Sequence, residues 1–166
     1  VLETKVRAAS LEKIQEIREK VHRAYDGAAY AFGGKIEREV LQGYMPIIPR
    51  GADEALVDAA RELGLKYRTV QKGDFNNACT DVGDLSQIFP VVNFTFKGFE
   101  GKLHGADFRI TDPEKAYILP AKLLALTAYK LLKNGAEKAL EIKRNHQPVF
   151  DTEGYVRYVE QLLERK

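Results

Sequence analysis

Residues 43–51, Gly-Tyr-Met-Pro-Ile-Ile-Pro-Arg-Gly, constrain this chain more than any other stretch. Pro46 and Pro49 remove two backbone donors and fix φ at both positions, and the flanking glycines loosen the chain at either end. Neither a long helix nor a central strand runs through such a segment. It reads as a linker over 44–52, which separates a short N-terminal part, 1–43, from a larger C-terminal part, 53–166. The whole length, 166 residues, is that of one ordinary domain, long enough to bury a core.

The N-terminal part has a clear pattern. Val1–Ala8 reads as a short strand, and Ser10 as an N-cap whose hydroxyl accepts from the first free amides. Leu11, Ile14, Ile17, Val21, Tyr25, Ala28 and Phe32 recur at steps of three and four, which places them on one helical face. Gly33-Gly34 ends that helix, because glycine accepts the left-handed conformation of a C-cap. Lys35–Leu41 follows as a strand. Strand–helix–strand in this order is the second half of a split βαββαβ motif. There the two strands are parallel and not adjacent, so a gap one strand wide separates them.

Beyond the linker, the expected elements are a helix from Asp53 to Leu63 stopped by Gly64, and a strand over Leu65–Val70. A short helix over Leu85–Phe89 and a buried strand over Val91–Phe96 come next, followed by an irregular glycine-containing loop, Phe99–Ile110. Asp112-Pro113-Glu114 starts a helix with a capping acid and proline at the first helical position. Within helix 113–133, Pro120 marks either a kink or a division into two. Amphipathic helices are expected over Ala136–Arg144 and Thr152–Glu164.

Composition narrows the function classes. The 26 basic and 24 acidic residues interleave to a net charge of +2, with no basic stripe to hold a nucleic-acid backbone. Lys97-Gly98-Phe99 matches an RNA-binding strand signature only by chance, since Glu100 and Gly101 break it. No apolar run reaches the ~18 residues that would span a bilayer, and no signal peptide is present. A cytoplasmic protein without membrane or nucleic-acid partners is the expectation. Cys79 is the sole cysteine, so no internal disulfide or thiolate cluster can form, and a buried thiol is the better reading of it.

Two segments carry the candidate chemistry: Thr80-Asp81-Val82-Gly83-Asp84-Leu85-Ser86-Gln87-Ile88-Phe89-Pro90 and Leu103-His104-Gly105-Ala106-Asp107-Phe108. Taken alone, His104 is a surface-loop histidine, and Asp81 with Asp84 is an acid-rich helix cap. A helix N-terminus also attracts anions through its free amides, so the same acids could border a pocket. His22 reads as a residue on a solvated helix face, His146 as a loop residue, and Tyr44 as a packing residue.

The order of these segments resembles the C-terminal half of the dinuclear metal amidohydrolases of the aminoacylase/carboxypeptidase superfamily. The similar branch holds the aminobenzoyl-glutamate and indole-acetyl-amino-acid hydrolases. The resemblance covers nearly the whole chain. It implies an α/β fold: a partial zinc-exopeptidase-like catalytic domain over 53–166, preceded by the last strand–helix–strand of an α+β dimerisation lid over 1–43. It implies that His104 is a metal ligand, with Gly105-Ala106 standing where the family has Ser/Thr-Pro, and that Asp81, Gly83 and Asp84 border the substrate pocket.

For the intact parent the resemblance implies two divalent ions, zinc or manganese, activating a bridging water. It further implies a homodimer through the lid, and a small N-acyl amino acid or peptide as substrate. The general base and the other ligands would lie in a missing N-terminal part, so no catalytic residue is expected in this chain. Isolated, the chain is expected to bind no catalytic metal and to be inactive. The alternative is a non-catalytic binding or oligomerisation module.

Overall fold

A computed structural model of the chain describes residues 1–48, 53–69 and 79–164. The helices are α1 (Leu11–Ala31), α2 (Asp53–Glu62), α3 (Val82–Ser86), α4 (Leu119–Asn145) and α5 (Thr152–Glu164). Strands β1 (Phe99–Glu100) and β2 (Arg109–Ile110) pair antiparallel, with Phe99 opposite Ile110.

The helix ends follow from local chemistry. Ser10 caps α1, its Oγ accepting from the Lys13 amide at 3.2 Å. At the other end Gly33 turns left-handed at φ +66°. The Gly33 and Gly34 amides then donate back to the Tyr30 and Ala29 carbonyls, the paired bonds of a Schellman ending. α2 stops the same way: Gly64 has φ +64°, and the Gly64 and Leu65 amides reach Arg61 and Ala60. Ahead of α4, Asp112 accepts from the Lys115 amide at 3.1 Å, and one π-helical turn spans Glu114–Ile118. Pro120, which has no amide to give, then falls in the first turn of α4, where a helix tolerates proline. The helix is then interrupted at Lys133–Ala136, where Asn134, Gly135 and Ala136 all have positive φ. Two separate helices, as expected from the sequence, lie on either side of this break.

The chain forms two compact units. The first gathers 1–48, 79–89 and 148–164, and the second gathers 53–69 and 90–147. The first change of unit, after Ile48, falls inside the expected 44–52 linker, but 79–89 and 148–164 join the first unit rather than continuing the second. The described part of that segment, 44–48, is irregular, yet it is tied by hydrogen bonds to α3 and belongs with it. In the second unit α2 packs on α4 around buried Ala59, Ala60 and Leu123, flanked by Leu56, Leu63, Leu65, Phe94 and Leu126. Alanines on α2 let the two helices approach closely. The Lys130 ammonium, largely buried, meets Glu62 at 2.7 Å across the same seam.

The expected strands at 1–8, 35–42 and 91–96 are not strands here, nor are the described residues 65–69; Val70 lies outside the described residues. A strand is defined by its partner, and among the described residues none of these segments has one. Among the described residues the one ladder forms instead within the segment expected to be an irregular loop, between residues close in sequence.

Two substitutions test the helix accounts. Gly27 lies in an exposed stretch of α1 with open space where a Cβ would go, so Gly27→Ala should stabilise the chain by about 0.5–1 kcal/mol. Ala136 holds φ +62°, so Ala136→Gly should relieve about 1 kcal/mol of strain. Urea unfolding should show each as a raised midpoint at unchanged slope.

Candidate functional site

The acid-flanked turn lies in the first unit. Gly83 is fully packed: a Cβ there would stand 1.8 Å from the Met45 carbonyl oxygen, so only glycine lets the two backbones touch. Around that contact the polar groups interlock. Ser86 Oγ donates to the Gly83 carbonyl at 2.6 Å and accepts from the Ile48 amide at 3.0 Å. Gln87 is wholly buried, and its Nε2 donates to the carbonyls of Pro46 at 2.7 Å and Gly83 at 3.0 Å. The Gln87 carbonyl in turn accepts from the amides of Val149 and Phe150, which fixes the entry to α5.

Asp84 is a strut in this node. Its Oδ2 accepts from the Met45 amide at 3.2 Å, and its Oδ1 accepts from the Tyr155 hydroxyl at 3.0 Å. Burial first, and the bond to Asp84 second, push the Tyr155 phenol above its ordinary value. Asp81 is exposed. Its carboxylate accepts from the Thr80 hydroxyl at 2.7 Å and makes no capping bond to α3. Of the three residues assigned to a pocket wall, Gly83 and Asp84 are thus engaged in packing, and Asp81 alone faces solvent.

His104 lies in the second unit, exposed, in the loop between β1 and β2. Its φ is +64°, a left-handed conformation that few non-glycine residues hold. The loop that imposes it is tight. The Gly105 amide donates to the Lys102 carbonyl at 2.7 Å, and the Lys102 amide reaches both Asp107 carboxylate oxygens at 3.3 Å. Phe99 and Phe108 stack at the loop's base, ring centroids 5.2 Å apart. Gly105-Ala106 therefore sits in a braced turn despite lacking a proline. Asp107 is the residue that sequence reading missed; an acid directly after a glycine-rich turn was the available signal.

Among the described residues no group of three or more His, Cys, Asp or Glu side chains could hold a metal ion. The described residues therefore do not themselves fit a dinuclear centre. Cys79 is exposed rather than buried, His146 ends α4, and His22 and the exposed Tyr44 both line a groove against α1. Among the described residues, no helix is long and apolar enough to cross a membrane. No family model matches the chain, and no curated protein or solved structure is significantly similar to it.

The Tyr155–Asp84 strut has a pH signature. The folded state raises the phenol's pKa, so its contribution is complete below the ordinary tyrosine value of ~10 and is lost as pH rises through the raised value. Tyr155→Phe should cost about 1.5 kcal/mol at neutral pH and flatten the alkaline fall in stability. Gly83→Ala should cost about 3 kcal/mol or more through overpacking. Denaturant titrations at pH 7 and above pH 10 measure both.

Proposed function

We propose that this chain is the part of a dinuclear metal amidohydrolase that carries His104, one ligand of its metal site. The intact enzyme would cleave the amide bond of an N-acyl amino acid, an aminobenzoyl-glutamate-like compound or a small peptide. Its α/β catalytic domain would include 53–166, and 1–43 would belong to the lid through which two copies associate. The observation that carries this reading is the backbone at His104. A histidine held left-handed at φ +64°, on an exposed loop braced by Asp107, is a strained arrangement of the kind that gathers at functional sites. The remaining ligands and the general base would come from residues outside this sequence. Asp81, exposed beside α3, is the member of the acidic turn left open to a ligand; Gly83 and Asp84 support it.

A second reading, a binding or oligomerisation module without catalysis, is favoured by the open groove along α1. Co-expression with the segment encoded upstream of Val1 separates the two. On the hydrolase reading, the combined protein binds about two divalent ions per chain, as two-metal sites do, and hydrolyses aminobenzoyl-glutamate. His104→Ala then lowers the metal content and abolishes turnover, while the isolated chain does neither. Stoichiometric zinc on the isolated chain, or a His104→Ala variant with full activity, would contradict the assignment.

A further inference from the structure

The sequence holds one Asn-Gly pair, Asn134-Gly135, and the structure places it in the interruption of α4. Lys133 leaves the helix with ψ 162°, and Asn134, Gly135 and Ala136 follow with φ of 54°, 71° and 62°. Left-handed backbone is disfavoured for residues that carry a Cβ, so this turn is held less firmly than the helix on either side. Asn134 and Gly135 are both exposed. A Cβ built on Gly135 would meet nothing within 4 Å. The pair belongs neither to the His104 loop nor to the buried seam between α2 and α4.

Asparagine is a chemically labile residue, and a following glycine opens a particular reaction to it. The Gly135 nitrogen attacks the side-chain carbonyl carbon of Asn134. A new C–N bond closes a cyclic imide, the bond to the side-chain nitrogen breaks, and that nitrogen departs as ammonia with the proton of the Gly135 amide. Water then adds to either ring carbonyl. Opening on one side leaves aspartate. Opening on the other leaves isoaspartate, with the main chain running through the former side chain. Solvent water is the one co-reactant, and nothing is oxidised or reduced.

Two conditions set the rate. The attacking residue must not crowd its own nitrogen, and glycine has no Cβ to do so. The intervening peptide must also rotate until nitrogen and carbonyl carbon meet, which an α-helix denies because its hydrogen bonds fix φ and ψ. Both conditions hold at Asn134-Gly135. Asn93 and Asn145 are exposed as well, but Phe94 and His146 follow them and crowd the nitrogen. Asp26-Gly27 has the unhindered neighbour, yet it lies inside α1, and Asp26 is ion-paired with Arg38.

We propose that Asn134 is a site of spontaneous covalent modification, which the folded chain converts through the Gly135 imide to aspartate and isoaspartate. The break in α4 is the structural cause. The product gains a negative charge, and its isoaspartate form lengthens the main chain by one methylene between the two halves of α4. The modified fraction grows with the age of the molecule and needs no enzyme.

The test is to incubate the full chain at mildly alkaline pH, digest samples at intervals, and map the peptides by mass spectrometry with a fragmentation that separates aspartate from isoaspartate. Conversion at Asn134 should run about tenfold or more faster than at Asn93 or Asn145, where the attacking nitrogen is crowded. It should also lie within about tenfold of the rate in a synthetic peptide spanning 129–140, since no helix has to open first. Gly135→Ala should slow it about tenfold or more in chain and peptide alike, and the peptide shows that effect even if the variant chain folds poorly. A folded chain whose Asn134 stays intact while the peptide converts would overturn the proposal. So would equal rates at Asn93 and Asn145, or a Gly135→Ala variant that converts undiminished.

Discussion

The first compact unit depends on where the main chain on either side of α1 finds its hydrogen-bond partners. A backbone amide or carbonyl away from water must find a partner, whereas an exposed one is met by water. Residues 1–6 and 35–44 have no backbone partners among the described residues, and most of them are exposed. The apolar positions of α1, Leu11, Ile14, Ile17, Val21 and Tyr25, are half-buried. Residues 1–8 and 35–42 carry the side-chain pattern of strands, and neither is a strand here.

A second constraint organises the same unit from the opposite side. The backbone contact between Gly83 and Met45 leaves no room for a Cβ, and Ser86, Gln87 and Asp84 convert that contact into a hydrogen-bonded node with 44–48 and α5. This bears on function. The glycine and second acid of this motif are consumed by packing, and Asp81 is the acid it leaves exposed. In the second unit the Lys102–Asp107 bond and the Phe99–Phe108 stack do similar work, bracing the loop in which His104 is left-handed.

Most helices were legible because their signals are local; the short one expected over Leu85–Phe89 instead runs over Val82–Ser86. Ser10, Gly33-Gly34, Gly64 and Asp112-Pro113 each act within a turn or two, and each behaves as its chemistry requires. The Lys133–Ala136 break falls where the helices expected over 113–133 and Ala136–Arg144 meet. The strands were not, because pairing depends on residues distant in sequence: Val91–Phe96 has strand-forming side chains, yet Phe94 packs on the α2–α4 core without a ladder. The return of 79–89 and 148–164 to the first unit was not legible for a related reason. Pro46 and Pro49 do exclude helix, but nothing local reveals that Met45 would be buried against Gly83. At the candidate site the position of His104 was legible, while its brace through Asp107 and the Tyr155–Asp84 strut were not. Those contacts join residues by geometry that spacing alone does not encode.

The most direct test of this account of the first unit is amide hydrogen exchange at Leu2–Val6 and in 35–42. Both segments lack backbone partners among the described residues, so their amides should exchange freely. Strong protection in both segments would contradict the account.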